Sequence, residues 1–264
     1  MEYRKNLYTC QDGIGRITMN YPQNLNAIDM DMVLELLSLL DECEKDPQVK
    51  VVILESGGKA FSAGGDIGYF YDQIKAGGDV NMDDLIERAG LVSLNIKKMS
   101  KMVITSVAGA AAGAGANLAL SGDFVVCADN TKFIQAFINL GLVPDTGGTY
   151  LLSKSIGVAK AMELCATGKP LTADEALSLG LVTEVCPKEE LADRTMALAR
   201  KLCAGPLIAY ANLKKQFFEA NYTDYERYLQ NGEIPTQRAC ISSEDFKEGV
   251  CAFMEKRKPS FQGK

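Results

Sequence analysis

The spacing of apolar positions changes from strand-like to helix-like and back within the first part of the chain. Residues 7–20 read as two short strands around the turn at Asp12-Gly13. A helix is expected from about Asp29, because Met30, Val33, Leu36, Leu37 and Leu40 recur at helical spacing with Asp and Glu on the other face, and Pro47 closes it. The continuous apolar run Val51-Val52-Ile53-Leu54 predicts a strand buried on both faces. A glycine-rich turn leads into Phe61-Ser62-Ala63-Gly64-Gly65-Asp66, and residues 75–84 read as a mobile surface loop.

A comparable unit then recurs. Residues 102–104 predict a strand, 109–115 a turn of small residues, 117–121 a short helix, and 124–127 and 132–134 two further strands. Two strand–glycine turn–helix units imply a repeated α/β architecture. From Ser155 onward the pattern is helical, with helices expected over 158–166, 172–179, 191–202, 208–219 and 246–256. Thr172 is placed to cap the second of these and Gly180 to stop it. No stretch is rich enough in Pro, Gly or Ser to separate independent domains.

Composition narrows the chemistry. A chain of 264 residues with 47% hydrophobic and 23% charged residues suits a soluble globular protein with a substantial core. The most apolar window, 103–120, is broken by Thr105, Ser106, three glycines and Asn117, so it makes a poor membrane span. With no apolar run of signal-peptide type at the N-terminus, a cytoplasmic or other reducing location is expected. A net charge of −6 argues against a nucleic-acid surface. Eight cysteines scattered singly, without CxxC spacing, fit buried free thiols better than a zinc site or disulfide framework. The chain has no histidine and no tryptophan. That excludes Ser-His-Asp and Cys-His catalysis and histidine-ligated metals, leaving acid–base work to Asp, Glu, Lys, Tyr or Cys.

The two glycine-rich turns match no phosphate loop: GxxxxGK[ST] is absent, and Gly113-Ala114-Gly115 lacks the later glycine of a dinucleotide fingerprint. Close backbone packing accounts for such turns by itself. Alternatively, small residues leave peptide N–H groups unshielded, and facing turns would aim the Ala63 and Ala114 N–H groups at one oxygen. Such an oxyanion hole is worth about 3–4 kcal/mol per donor in the transition state. The other candidate is Asp145, between Pro144 and Thr146-Gly147-Gly148, where the chain changes direction. It can cap the helix beginning near Gly147, or accept a proton. Apolar neighbours such as Phe137 and Leu142 would raise its pKa, and a helix N-terminus would lower it.

These segments carry a resemblance. Asn24-Leu25-Asn26-Ala27, residues 61–66, 109–123 and 140–148, Thr167-Gly168, 173–182 and the C-terminal Glu248-Gly249-Val250 with 252–257 resemble the enoyl-CoA hydratase/isomerase (crotonase) superfamily over nearly the full length. The resemblance implies an α/β fold, a crotonase-like spiral of ββα repeats over 1–200, and a helical trimerisation region over 201–264. It also implies a homotrimer or dimer of trimers and an acyl-CoA thioester substrate whose carbonyl meets Ala63 and Ala114, with no metal or redox cofactor. Substrate contacts are expected at Asn26, Ala27, Gly64, Asp66, Ile67, Tyr69, Asn117 and Phe137. Phe253 and Lys256 match family residues near the CoA nucleotide, reached from a neighbouring subunit.

Hydratases of this family hold a water between two glutamates, and the matching positions here are Asn117 and Phe137, neither of which transfers protons at neutral pH. Asp145 matches the single aspartate of family isomerases. It also matches the dehalogenase nucleophile, whose supporting histidine and tryptophan this chain lacks. The pattern is similar to ring-epoxyphenylacetyl-CoA isomerases and Δ3,Δ2-enoyl-CoA isomerases. The expected activity is therefore double-bond isomerisation by single-base proton transfer. The alternatives are a hydratase or other acyl-CoA lyase, for which no second carboxylate is evident, and a non-catalytic acyl-CoA binder.

Overall fold

The structure, a computed structural model, describes residues 3–78 and 80–264. The elements in chain order are β1 (Asn6–Gln11), β2 (Ile14–Met19), α1 (Met30–Lys45), β3 (Val51–Ser56), α2 (Ile67–Lys75), α3 (Asp83–Lys98), β4 (Met102–Val107), β5 (Ala110–Ala112), α4 (Ala114–Ala119), β6 (Phe124–Ala128), β7 (Lys132–Ile134), α5 (Gly148–Ile156), α6 (Val158–Thr167), β8 (Leu171–Thr172), α7 (Ala173–Ser178), β9 (Glu184–Cys186), α8 (Leu191–Cys203), α9 (Leu207–Asn221), α10 (Tyr225–Tyr228), α11 (Ile234–Ile241) and α12 (Glu244–Met254). A single π-helical turn, Leu229–Glu233, joins α10 to α11.

β1 and β2 form the expected hairpin, and from β2 onward the main sheet is parallel in the order β1-β2-β3-β4-β6-β9. Residues 51–54 of β3 and all of β4 are buried, as expected of strands covered on both faces. One face packs Val52, Leu54 and Val103 with Leu36, Leu39 and Met32 of α1 and Val92 and Ile96 of α3. The other packs Val51, Ile53 and Ile104 against Ala199 and Leu202 of α8. A smaller sheet, β5-β7-β8, stands beside the first.

Several expectations change. Residues 109–115 are not only a turn, since β5 occupies 110–112, and the helix expected at 117–121 begins at Ala114. The cause is pairing: β5 runs parallel to β7, with Ala111 opposite Phe133. The expected surface loop 75–84 is shorter, because α2 includes Lys75 and α3 begins at Asp83. Met82 within it is buried against Phe70 and Ile86, and Asp79 lies outside the described residues. α2, α3, α10 and α11 are additional to the expected helices. Among the described residues no helix is long and apolar enough to cross a membrane.

Candidate active site

The two glycine turns do face each other. Residues 61–62 pair with β5: the Phe61 N–H donates to the Ala110 carbonyl at 2.9 Å and the Ala112 N–H to the Ser62 carbonyl at 2.9 Å. On the other side, the Ile28 N–H donates to the Gly64 carbonyl at 2.7 Å. Gly64, at φ +89°, lies so close that a Cβ there would meet the Ala112 carbonyl oxygen at 2.7 Å and the Gly113 Cα at 3.6 Å. Only glycine fits such an approach.

This pairing corrects the expected donor pair. The Ala63 N–H already donates to the Leu25 carbonyl at 3.0 Å, so the sheet-like pairing with the 24–28 segment consumes it. The Gly64 N–H is likewise engaged, by the Ser62 hydroxyl at 3.2 Å. Among the described residues, the Gly65 N–H meets no acceptor, and neither does that of Ala114, the first residue of α4. Gly65 and Ala114 thus offer open donors on the facing turns.

Beside these turns lies a cavity of about 630 Å³, lined by Ile28, Asp66, Tyr69, Phe70, Met82 and Leu85 among others. Phe70 and Met82 also belong to an apolar cluster with Ile86, Phe137, Leu142, Ile234 and Phe246, with Ile67 packed against it. Phe137 is buried, its ring 3.6 Å from where a Gly113 Cβ would stand. Tyr69 is 55% exposed at the cavity wall.

Other expected contacts are held by the fold. Asp66 caps α2, accepting the Tyr69 N–H at 3.1 Å through one oxygen and the Asn24 side-chain amide at 2.9 Å through the other. Asn26 is fully buried: its amide donates to the Gly57 carbonyl and its oxygen accepts the Tyr21 N–H, both at 2.8 Å. Both amide groups are thus engaged, and Asn26 shapes the turn instead of offering a side chain to a ligand. Ala27 beside it is buried. Phe253, 60% exposed on α12, and Lys256, in a left-handed conformation just past the end of that helix, stand apart from the cavity lining.

Asp145 sits on a turn pinned from several sides. Its side chain does not cap α5: Gly147 holds the N-cap position, and no side-chain cap bond is made. Instead one carboxylate oxygen accepts the Thr146 hydroxyl at 2.9 Å and the other the Gln237 side-chain amide at 3.2 Å. Asn117 on α4 donates to the Asp145 main-chain carbonyl at 2.7 Å and accepts the Gln135 amide at 2.7 Å, so it holds the backbone of the acid in place. Ser93 on α3 donates to the Thr146 carbonyl at 3.0 Å. The carboxylate is 7% exposed, and burial pushes its pKa from 3.8 up to about 6, against the opposing pull of Thr146 and Gln237.

A second carboxylate accompanies it. Glu233, 1% exposed on the π-helical turn, accepts the Gly147 N–H at 3.0 and 3.2 Å. Burial, then the charge of Asp145, hold it well above the usual carboxylate range. Neither Glu233 nor Gln237 was among the expected site residues. Their helical spacing of four is visible in the sequence, but nothing local announces partners in the 143–147 turn. Among the described residues no group of three or more His, Cys, Asp or Glu is placed to hold a metal ion.

Comparison with known proteins gives matches over nearly the whole chain. The family model described as enoyl-CoA hydratase/isomerase matches residues 9–264. The trans-2-decenoyl-[acyl-carrier-protein] isomerase of Streptococcus mutans is 35% identical over 264 residues, covering 100% of both chains. The 1,2-epoxyphenylacetyl-CoA isomerase of Escherichia coli is 37% identical, covering 96% of this chain and 97% of its own. A crystal structure of an enoyl-CoA hydratase from Mycobacterium avium subsp. paratuberculosis superposes with a TM-score of 0.89 at 31% identity, over 99% of this chain and 100% of that one.

Proposed function

We propose that this chain, which belongs to the enoyl-CoA hydratase/isomerase family, is an isomerase that shifts a double bond in an acyl thioester by proton transfer through one base, Asp145. Its fold is the crotonase-like α/β fold with a helical C-terminal region. The observation that carries the proposal is the state of the candidate acids. Asn117 and Phe137 stand at the hydratase glutamate positions and carry no ionisable group, whereas Asp145 is buried with its pKa raised to about 6.

The chemistry follows from a thioester carbonyl placed against the Gly65 and Ala114 N–H groups. Drawing electron density onto that oxygen acidifies the adjacent C–H, and donors pre-aimed at it stabilise the enolate without reorganising. Asp145 is ionised above about pH 6. Its carboxylate takes the proton from the carbon next to the thioester, or from the γ carbon of the conjugated isomer. The resulting dienolate spreads its charge over the conjugated carbons and the oxygen. Asp145 then returns the proton at the other end of the three-carbon unit. A base with a pKa near the working pH suits both taking and returning a proton. Proton, charge and carbon skeleton all balance without a redox partner.

The apolar cluster of Phe70, Phe137, Leu142 and Phe246 suits an apolar acyl chain. Coenzyme A is the carrier in the family's description, and acyl carrier protein is the carrier in the name of one relative. The reading includes the expected homotrimer or dimer of trimers, in which a neighbouring subunit would cover exposed Phe253. It also includes a cytoplasmic setting.

Hydration is the second reading, because relatives named hydratases are also similar. It needs a second acid facing the substrate, and Glu233 is instead engaged by the Gly147 N–H. A turnover screen separates the two, using 3-enoyl and 2-enoyl thioesters of both carriers and following products by mass and chromatography. The proposal expects interconversion of 2- and 3-enoyl isomers. Enzyme-like formation of the 3-hydroxyacyl product in its place would support hydration, and tight binding without turnover would support a non-catalytic binder.

A further inference from the structure

The π-helical turn and α11 place two polar side chains, Glu233 and Gln237, on one helical face directed at the turn that carries Asp145. Gln237 donates to the Asp145 carboxylate at 3.2 Å and accepts the Val143 N–H at 3.1 Å. Glu233 accepts the Gly147 N–H at 3.0 Å. The two side chains therefore grip the turn on both sides of Asp145, and both are almost wholly buried. π-helical turns cost regular hydrogen bonding and gather at functional sites. Here the wide turn ends on Glu233 itself. From this geometry we infer that Glu233 and Gln237 are positioning residues for the base: Glu233 fixes the turn, and Gln237 orients the Asp145 carboxylate and sets its basicity. This inference rests on Asp145 being the base.

Their electrical roles differ. The Gln237 amide stabilises the Asp145 anion, as the Thr146 hydroxyl does. The titratable group that acts on Glu233 is Asp145 on the turn, and Glu233 in turn raises the pKa of Tyr225 and Tyr228 on α10. Burial and the Asp145 charge both oppose ionisation of Glu233. Glutamine in place of Glu233 keeps an amide oxygen that accepts the Gly147 N–H.

The test is steady-state kinetics with a 3-enoyl-CoA across pH for wild type, Glu233→Gln, Glu233→Ala and Gln237→Leu, with Asp145→Asn as reference. Glu233→Ala is expected to lower kcat by roughly 10- to 100-fold, the scale of a small misplacement of a reacting group, with KM within about threefold of wild type. Glu233→Gln is expected to restore kcat to within about threefold of wild type near neutral pH. Gln237→Leu is expected to move the acid limb of kcat upward by about one pH unit, because the carboxylate loses a donor. A folded Glu233→Ala with unchanged kcat overturns the inference, as does Glu233→Gln impaired as deeply as Glu233→Ala, or an unmoved acid limb in Gln237→Leu. Should Glu233→Ala fail to fold, the other two variants decide. If Asp145→Asn turns over normally, the base assignment itself has failed. If it is inactive while the helical-face variants behave as wild type, only the present inference has failed.

Discussion

Asp145 owes its raised pKa to burial and its place to its neighbours. In water an aspartate is too weak a base to hold a proton in transit between carbons. Burial lifts its pKa to about 6, and the Thr146 and Gln237 donors keep it from rising further. The free-enzyme group must be ionised to act, so kcat/KM should fall as pH falls through about 6. A pH–rate profile checks this, and a limb near the ordinary value of 3.8 would assign the base elsewhere. Asp145 was legible in the sequence because a lone acid between proline and a glycine pair has few uses. That its side chain leaves α5 uncapped was not legible. The decision lies with Gly147, which takes the N-cap position, and with Glu233, which takes the Gly147 N–H.

At the scale of elements, the fold works by bringing loop ends together. β3 and β4 lie side by side in parallel, so the chain leaving each emerges at the same edge of the sheet. The turn after β3 is then stitched between the 24–28 segment and β5. Buried runs such as 51–54 and the periodic helix from Met30 were readable because local pattern matches the burial they achieve. The donor assignment was not readable. Ala63 and Gly65 are equally small, and only the arrival of the Leu25 carbonyl, from a distant part of the chain, removes Ala63 as a donor. α3 and α11 matter for the same reason, since Ser93 and Gln237 reach the 143–147 turn only in the folded molecule. Ala114 is the first residue of α4, where proline is tolerated, so Ala114→Pro removes one N–H while leaving the helix start intact. It is expected to lower kcat by roughly 100- to 1,000-fold with the circular dichroism spectrum preserved. Full activity in that variant would remove Ala114 from the oxyanion site.

Across the whole molecule, the buried acid is a cost to stability. The folded-state pKa of Asp145 is raised above its ordinary value of 3.8. Its contribution to stability is therefore fully present below that value and is lost as pH rises through about 6. Asp145→Asn removes the ionisation, so the variant should be more stable than wild type at pH 8, by about 1–3 kcal/mol, with the gain fading toward pH 4. Urea unfolding at the two pH values measures it. A variant that is inactive yet more stable is the signature of a group retained for chemistry at the expense of the fold. Equal stability at pH 8 would mean that the charge is well solvated in the native state.

Label transfer tests single-base isomerisation most directly. Wild type and Asp145→Asn would each be mixed with a 3-enoyl-CoA in deuterated water under single-turnover conditions, and the product and recovered substrate analysed for double-bond position and deuterium. Wild type is expected to give the 2-enoyl isomer, with deuterium entering only to the extent that protonated Asp145 exchanges with solvent before it returns the proton. Asp145→Asn, still folded and still binding the thioester, should lose both isomerisation and uptake. Near-normal isomerisation and label uptake in Asp145→Asn would contradict the account.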